Sequence, residues 1–450
     1  MRNYQLTWGS VAVSGFFAAV FFTASFAAEA FGVPPELDTY LSLADKTYQW
    51  KILERNTDAS QKAWFVELTS QTWHGIPWKH IMVIVEPKQL DYPDKALLFI
   101  TGGSIGRRPS HGDMDQVRRI AEKVNAYAVL LLQVPNQPLL GDYREDALIG
   151  ETLLKALAEN DTTWPALFPM AKSAIRAMDA AQEILRQERH QEVESFVVSG
   201  ASKRGWTTWL TAASGDKRVI AIAPIVIDTL NLSRQMQYQL ETWGDWSPSI
   251  HDYTSRRLID KNPDNMSEFK KRLWIIIDPY YYRSRLTLPK LLIHATNDPY
   301  WTLDATRNYW DDLTGVKYIA TFPNVGHDLG NEQPRAFLSV AVFAKYAFEN
   351  KGNSWPEMTW TSGENTDGDY TLKVVTEIPD CTAKLWTAHS DSKDFRQSVW
   401  GSKDLNASGE TGLYEAVIPK PEKGHVAFYM ELESIWFDTP FSLTTQVFRK

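Results

Sequence analysis

The central segment of the chain is Ser195-Phe-Val-Val-Ser-Gly-Ala-Ser202-Lys-Arg-Gly-Trp206, in which an apolar run leads into small residues and then into Ser202. This order predicts a buried strand, a tight turn that holds Ser202, and a helix that begins directly after it. The segment departs from the Gly-x-Ser-x-Gly pattern of such turns, because Arg204 stands two residues after the serine and Gly205 follows one position later. Two interpretations stand: Ser202 is an exposed nucleophile, or it is only the N-cap of the helix.

The chain on both sides of this segment carries short apolar runs that alternate with stretches of helical periodicity. Apolar runs without polar alternation are typical of strands buried on both faces of a parallel sheet, so we predict an α/β architecture with helices covering the sheet. The strands are expected at Ala96–Ile100, Ala128–Val134, Phe196–Ser199, Val219–Ile227, Leu291–Ala295 and Lys317–Phe322. The helices include Glu145–Glu159 and Ala166–Arg189, and an antiparallel pair at Trp64–Thr72 and His80–Glu86 precedes the series.

A serine nucleophile needs a base and an acid, and the strand ends supply candidates for both. His327 follows the sixth predicted strand, where the base of such a site would lie. Two carboxylates also follow strands: Asp298 comes after the fifth and Asp228 after the fourth. We favour Asp298 as the acid because its strand comes directly before that of the histidine, and Asp228 stays open as the alternative.

An acyl-transfer site also needs hydrogen-bond donors for the oxyanion. The backbone N–H of Lys203 is one candidate because it follows the serine, and the glycine-rich loop Thr101–Gly106 offers the N–H of Gly103 or Ser104 as the second. This loop contains no G-x-G-x-x-G motif and no P-loop lysine, and the chain has no H-E-x-x-H spacing. We therefore expect no nucleotide, no metal and no other cofactor.

Residues 231–286 interrupt the strand–helix rhythm with aromatic side chains and helical stretches, and we interpret them as a lid inserted above the sheet. Six side chains at predicted strand ends or in the lid are candidates for lining a pocket: Asp228, Asn231, Arg204, His111, Trp243 and Trp246. Asp228 and Asn231 are alternatively interpreted as holding the insertion. Lys203 and Arg204 are either ordinary solvated charges or attractors for an acidic substrate.

The composition changes again after residue 350. Trp355-Pro356 marks a boundary, and beyond it Tyr370–Ile378 and Val426–Glu433 alternate apolar and polar residues as half-buried antiparallel strands do. We predict a small antiparallel β-sandwich domain at 355–450, behind an α/β domain at 28–350 that contains the lid. The β domain is a candidate surface for binding a protein or a glycan.

The first thirty residues differ from the rest of the chain. Arg2 precedes the apolar run Val11–Phe26, and small residues follow it. This is the pattern of a secretory signal peptide, at 1–27 if it is cut after Ala27, with Ala30 as the other candidate position. The alternative is an uncleaved anchor helix, since the apolar run just reaches spanning length. We expect an exported protein, periplasmic or extracellular, with no membrane span once the leader is cleaved.

Charge and cysteine content exclude several classes of partner. The 450 residues carry a formal net charge of −8 and a single cysteine, Cys381. No block rich in Lys and Arg occurs, so we expect no nucleic-acid partner. One cysteine excludes an intramolecular disulfide and a cysteine-based zinc cage. The expected partner is a small-molecule or peptide substrate.

With these motifs in place, the chain resembles the PhoPQ-activated pathogenicity-related protein family, whose members include a secreted autocrine proliferation repressor. The segments that carry the resemblance are Gly200–Leu210, Val219–Asn231, Trp164–Ser173 and Arg144-Glu-Asp146. The resemblance implies an α/β-hydrolase-like sheet with an appended C-terminal β domain and a link to virulence regulation. It brings no substrate with it.

Motifs and resemblance together favour an exported serine hydrolase that cleaves an ester or an amide through a Ser202-Asp298-His327 triad and an acyl-enzyme. The alternative is a secreted binding or signalling protein on a degenerate hydrolase scaffold, in which the β domain docks a partner. The displaced glycine, Gly205, favours this alternative. A peptidase that uses the same triad is a third hypothesis.

Overall fold

The structure, a computed structural model, describes residues 32–56, 62–349, 355–408 and 412–450. Residues 33–450 form one compact unit. The predicted leader peptide at 1–27 lies outside the described residues. Across the described ranges, no helix is long and apolar enough to cross a membrane.

The described residues contain seventeen strands and nine α-helices. The strands are β1 (Gln49–Asn56), β2 (Lys62–Trp73), β3 (Ile76–Glu86), β4 (Tyr92–Ile100), β5 (Ala126–Leu131), β6 (Ser195–Ala201), β7 (Val219–Ile225), β8 (Lys290–Ala295), β9 (Lys317–Phe322), β10 (Met358–Glu364), β11 (Tyr370–Thr376), β12 (Thr382–Ser390), β13 (Gly401–Leu405), β14 (Leu413–Ile418), β15 (His425–Trp436), β16 (Thr439–Thr444) and β17 (Phe448–Arg449). The helices are α1 (Glu36–Ser42), α2 (His111–Val124), α3 (Glu145–Glu159), α4 (Leu167–Arg189), α5 (Lys203–Ala213), α6 (Leu232–Trp243), α7 (His251–Thr254), α8 (Glu268–Ile277) and α9 (Gln333–Glu349).

The parallel strands form the centre of one mixed sheet of fourteen strands. Its order is β1-β2-β3-β5-β4-β6-β7-β8-β9-β16-β15-β12-β13, with β17 paired to β15. The six strands from β5 to β9 in this order run parallel, and β3 lies antiparallel beside β5. This order, with the crossover between β4 and β5 and with helices between the strands, is that of the α/β-hydrolases. The predicted α/β class is therefore confirmed.

Two of the predicted parallel strands are shorter than expected. β7 ends at Ile225, before the predicted end at Ile227, and β5 stops at Leu131. The residues beyond these ends have left-handed backbone conformations, with a φ of 46° at Val226 and 64° at Gln133. A strand cannot contain such a conformation, so each strand ends before it.

Helices cover both faces of this sheet. On one face, α4 and α5 pack over the strands together with the insertion, around side chains such as Phe168 and Trp209. On the other face, α2 and α9 pack against the same strands through Ile120 and Phe343. All four of these side chains are buried. Burial on both sides explains why the strands carry continuous apolar runs instead of alternating ones.

The insertion consists of α6, α7, α8 and 3₁₀ turns at Pro248–Ile250, Pro263–Asn265 and Pro279–Arg285, and the described residues 231–286 contain no strand. Its two ends meet at Asp278, which is buried. The carboxylate of Asp278 accepts the backbone N–H of Leu232 at 2.8 Å, of Asn231 at 3.1 Å and of Tyr280 at 2.9 Å. Burial raises the pKa of Asp278 to about 7 even though these three donors favour its charged form.

The C-terminal region builds two layers. β10, β11 and β14 form a separate antiparallel sheet of three strands. This sheet packs on β12 and β15 through a shared core that contains Leu372 and Phe428. β12 and β15 belong to the main sheet, which continues into the C-terminal region because β16 pairs with β9 at Thr444 and Ile319. The β-sandwich therefore shares one sheet with the α/β region.

Candidate active site

Ser202 lies in the turn between β6 and α5, at the carboxyl end of the central strand. Its backbone has a φ of 57° and a ψ of −126°, a conformation that costs a non-glycine residue about 1–3 kcal/mol. The turn is held because the N–H of Ser202 donates to the carbonyl oxygen of Ile225 at 2.8 Å. Its side chain makes no capping hydrogen bond to α5. Of the two interpretations of Ser202, the geometry therefore disfavours the N-cap.

Two glycines allow strand and helix to approach at this turn. A Cβ atom on Gly200 would lie 2.7 Å from the carbonyl oxygen of Arg204, and a Cβ atom on Gly205 would lie 2.5 Å from Cγ2 of Ile227. Both distances are shorter than real Cβ contacts, so neither position accepts a side chain unless its neighbours shift. Gly205 lies against Ile227, and this contact requires a glycine one residue later than in the usual pattern.

Ser202, His327 and Asp298 form a continuous hydrogen-bonded chain. Nε2 of His327 lies 2.8 Å from Oγ of Ser202, and Nδ1 of the same ring lies 2.7 Å from Oδ2 of Asp298. The other carboxylate oxygen of Asp298 accepts the backbone N–H of Tyr300 at 2.8 Å. The His327 tautomer that is protonated at Nδ1 would donate to Asp298 and leave Nε2 to accept the hydroxyl proton of Ser202. This arrangement can activate a serine oxygen for attack on a carbonyl carbon.

The alternative acid, Asp228, belongs to a different cluster. Its carboxylate accepts the hydroxyl of Tyr309 at 2.5 Å and lies 3.2 Å from Nδ1 of His294. The structure brings Asp298, and not Asp228, against His327. Asp228, His294 and Asp298 line a small polar cavity behind the triad, in which Nε2 of His294 is buried and has no hydrogen-bond partner among the described residues.

The two candidate oxyanion donors lie at a helix start and in a loop after β4. Lys203 is the first residue of α5, so its backbone N–H has no acceptor within the helix. Gly103 has a φ of 113°, which favours glycine. The loop is held in place because the carbonyl oxygen of Gly102 accepts the N–H of Gln133 at 2.9 Å and Ile105 donates to Gln137 at 2.6 Å.

Lys203 and Arg204 form ion pairs with two consecutive acidic residues at the start of α3. Nζ of Lys203 lies 3.0 Å from Glu145 and 3.3 Å from Asp146, and Nη2 of Arg204 lies 2.7 Å from Glu145. Arg204 also donates to the carbonyl oxygen of Val134 at 2.5 Å. Both cations are thus neutralised inside the protein, so the structure supports neither of the two roles that the sequence suggested for them.

The pKa of the Glu145 carboxyl group is set largely by these partners. Burial acts to raise its pKa, but the charge and hydrogen bond of Arg204, the charge of Lys203 and a hydrogen bond from Gln137 outweigh it and lower the pKa of Glu145 to about 2. The carboxylate is therefore ionised at neutral pH. It connects the helix that follows Ser202 to Gln137, which in turn holds the loop of Gly103.

An apolar cavity opens beside Ser202 and His327. The space between its lining side chains amounts to about 530 Å³ when open solvent is included. Most of its wall is apolar and comes from the insertion and from α5: Trp206, Leu232, Met236, Ile250, Tyr253 and Trp274. The insertion therefore covers the serine, in the position expected of a lid.

None of the six pocket residues expected from the sequence lines this cavity. Trp243 stacks its ring on the guanidinium of Arg396, 4.2 Å from the ring centre. Trp246 lines a neighbouring cavity of the insertion, and its Nε1 donates to the carbonyl oxygen of Met236. His111 is exposed at the start of α2. These placements correct our expectation, because the direction of a helical side chain, in the insertion and at the start of α2 alike, is not specified by the sequence.

Arg204, Asp228 and Asn231 have structural contacts instead of a place in this wall. Asn231 lies directly before α6 and donates from Nδ2 to the carbonyl oxygen of Asn308 at 2.9 Å. It thus helps to hold the insertion, which was the alternative interpretation. Arg204 lies against the loop of Gly102, and Asp228 lies in the polar cavity behind the triad.

Sequence reasoning missed several residues of the site. Tyr300 places its ring centre 4.2 Å from that of His327. Tyr253 donates its hydroxyl to Asp146 at 3.0 Å and so links the insertion to α3. The acidic pair Glu145 and Asp146 was noted only as the start of the predicted helix Glu145–Glu159 and as part of a segment that carries the resemblance. Its position at a helix start gave no signal that its partners would be the two residues after Ser202.

The C-terminal region contacts the loops that carry the acid and the base. Asn297 precedes Asp298, and its Nδ2 donates to the carbonyl oxygens of Arg396 at 3.1 Å and Ser398 at 2.8 Å. Asn324, three residues before His327, exchanges two hydrogen bonds with the backbone of Trp400 at 2.7 and 3.0 Å. Both loops are therefore supported by the same short segment, residues 396–400.

The family model of the PhoPQ-activated pathogenicity-related protein matches residues 37–396. The chain belongs to this family. Autocrine proliferation repressor protein A of Dictyostelium discoideum is 32% identical over 446 residues, which cover 92% of this chain and 88% of that protein. The family assignment rests on these two sequence matches.

Solved structures with a similar fold are esterases and related hydrolases. An acetyl xylan esterase from Paenibacillus sp. R4 superposes with a TM-score of 0.47 and 15% identity, over 68% of this chain and 92% of that one. An S-formylglutathione hydrolase from Agrobacterium tumefaciens gives a TM-score of 0.43 and 12% identity, over 67% of this chain and 100% of that one. In the part of the chain that the structure describes, no group of three or more His, Cys, Asp or Glu side chains is arranged to hold a metal ion.

Proposed function

We propose that this protein is a serine hydrolase that cleaves an ester or an amide through an acyl-enzyme. Oγ of Ser202 attacks the carbonyl carbon while Nε2 of His327 takes its proton, and Asp298 stabilises the imidazolium that forms. The backbone N–H groups of Lys203 and of Gly103 or Ser104 donate to the oxyanion. His327 then gives the proton to the leaving group as the bond from the carbonyl carbon to that group breaks. Water attacks the acyl-enzyme while His327 takes its proton, and the proton passes to Oγ of Ser202 as the bond to the acyl group breaks.

One observation carries this proposal. The strained backbone of Ser202 presents its hydroxyl to His327 at 2.8 Å, and the same ring meets Asp298 at 2.7 Å. A buried structural serine has no need of a costly backbone conformation or of an oriented histidine. Strain of this kind, combined with a base and an acid in chain order, supports a nucleophile.

The test is labelling of the purified protein with a fluorophosphonate, with the modified peptide mapped by mass spectrometry. We expect the label on Ser202, its loss in Ser202→Ala and its retention in Ser233→Ala, a change at an exposed serine of α6. His327→Ala should also lose the label. Labelling that persists in folded Ser202→Ala, or fails in the folded wild type, would remove Ser202 from this role.

A second candidate function is binding or signalling, favoured by the relative named autocrine proliferation repressor protein A. In this case the β-sandwich contacts a protein or a glycan, and Ser202 is dispensable. A growth assay with added protein separates the two candidates. An effect that folded Ser202→Ala retains in full supports binding, and an effect that it loses supports hydrolysis.

We also propose that the protein is exported to the periplasm or the extracellular space, because residues 1–27 have the charge and apolar pattern of a signal peptide. Sequencing the N-terminus of the protein recovered from its host tests this. A terminus at Ala28 or Phe31 supports cleavage, and an intact Met1 in the membrane fraction supports the anchor alternative.

A further inference from the structure

We propose that the substrate carries an apolar group of limited length next to the scissile bond, and that this group fills the cavity beside Ser202. This inference rests on the proposed hydrolase function and adds a substrate class to it. The class is an ester or amide with an aliphatic or aromatic group that is larger than acetyl. A charged group, such as a sugar acid, is outside this class.

The wall of the cavity is mostly apolar. Among the described residues that line it, no charged side chain lacks an oppositely charged or hydrogen-bonded partner. Its charged members outside the triad are Lys203 and Asp146, which pair with each other at 3.3 Å. The hydroxyl of Tyr253 is also committed, because it donates to Asp146. A charged substrate group would have to displace these partners and lose its own hydration, which makes its entry costly.

Two buried polar atoms of lining residues remain unpaired within the described residues. They are Oγ1 of Thr229 and Nε1 of Trp301. Both atoms are buried, so the wall offers few polar atoms to a ligand. It cannot replace the hydration of a sugar, which carries a hydroxyl on most of its carbons.

Four side chains separate this cavity from a second one, and we expect this wall to limit the length of the group. Leu232, Met236, Ile259 and Trp274 line this cavity and also a second one of about 390 Å³ on their other side. The four side chains therefore form a partition between two cavities. Trp274 is fixed in the partition because its Nε1 donates to the carbonyl oxygen of Leu258 at 3.0 Å.

The partition allows a matched test of the size limit. Met236→Ala removes a partition side chain and joins the two cavities, whereas Met266→Ala removes the same atoms from a residue that lines only the second cavity. Ile259→Ala is a second partition variant, useful if Met236→Ala folds poorly because Met236 is buried. A change in the preferred chain length of the substrate that both partition variants show and Met266→Ala does not show reports on the length of the pocket.

The experiment measures the rate of Ser202 modification by n-alkyl fluorophosphonates from ethyl to dodecyl. We expect the rate constant to rise about fourfold per methylene, the equivalent of about 0.8 kcal/mol, until the pocket is full, and then to fall. The optimum should move to longer chains in Met236→Ala and Ile259→Ala and stay in place in Met266→Ala. p-Nitrophenyl esters of increasing acyl length and acetates of increasing alcohol length then show on which side of the carbonyl the group lies.

The outcomes separate this inference from the function on which it rests. Modification of Ser202 at a rate independent of chain length, or fastest with the ethyl reagent, overturns the apolar-pocket proposal and leaves the hydrolase proposal intact. An optimum that does not move in either partition variant overturns the size limit. Failure of every reagent to modify Ser202 in the folded wild type rejects the hydrolase function itself.

Discussion

The guanidinium of Arg204 lies against Gly102, and a Cβ atom on that glycine would stand 2.2 Å from Nη2 of the arginine. The contact joins the helix that follows Ser202 to the loop that holds Gly103. Arg204 is fixed there by Val134 and Glu145, so it cannot move aside without losing hydrogen bonds. The position of the arginine therefore depends on the absence of a side chain at Gly102.

Gly102→Ala should lower kcat/KM by about 10²-fold, because the displaced Arg204 shifts the loop that carries a proposed oxyanion donor. The Tm should change by a few degrees at most, since the obstructing atoms belong to a side chain. Gly401→Ala is the control: a Cβ atom there meets nothing within 4 Å. Steady-state kinetics on any ester that the wild type hydrolyses measures the effect, and unchanged kcat/KM would show that the contact does not position the loop.

Replacing each of the two candidate acids by asparagine should have unequal effects on kcat. Asp298→Asn should lower kcat by a factor on the order of 10⁴, because the histidine loses the partner that fixes its tautomer. Asp228→Asn should leave kcat close to that of the wild type and lower the Tm, since Asp228 contacts Tyr309 and His294 instead of His327. Kinetics and thermal unfolding of both variants decide the assignment, and the reverse pattern would make Asp228 the acid.

The ion pairs of Glu145 should produce a pH-dependent stability. The pKa of Glu145 is lowered from 4.5 to about 2, so its contribution is fully present above about pH 4.5 and is lost as the pH falls towards 2. The Tm difference between the wild type and Glu145→Gln should therefore be constant above pH 5 and shrink below it. Thermal unfolding between pH 3 and 8 measures this. Glu268→Gln, whose side chain is 91% exposed, should show a much smaller difference at every pH.

The backbone strain at Ser202 predicts an unusual stability order. Glycine adopts a positive φ without the cost that alanine bears, so Ser202→Gly should be more stable than Ser202→Ala by about 1 kcal/mol. The same pair of substitutions at Ser195, which lies in β6, should give the opposite order. Urea denaturation of the four variants measures both differences. A Ser202→Ala variant more stable than Ser202→Gly would argue against the strained conformation.

The parallel strands and the order of the site residues follow from the sequence alone. Buried parallel strands leave a strong signal of continuous apolar residues, and their carboxyl ends meet at one edge of the sheet. The sequence therefore predicts that Ser202, Asp298 and His327, each just after a strand, lie near one another. That prediction needs only the strand positions, and small errors such as the early end of β7 do not disturb it.

The partners of Arg204 and the wall of the pocket could not be predicted in this way. Arg204 and Glu145 are 59 residues apart in the chain, and their pairing depends on how α3 and α5 pack in three dimensions. In the insertion, Trp243, Trp246 and Trp274 have equal aromatic character, but only Trp274 lines the cavity of Ser202. Which helical face points inward is set by tertiary packing and not by residue type.

The support of Asn297 and Asn324 by residues 396–400 has a consequence for the biosynthesis of this protein. A chain emerges from the ribosome with its N-terminus first, so β9 and His327 are made before the segment that steadies them. Until β16 has followed, β9 would end the sheet with unpaired backbone groups, a surface on which other chains can add. The proposed triad would therefore reach its final geometry only late in translation. A nascent protein that stalls between residues 327 and 396 would carry all three residues without the segment that supports their loops.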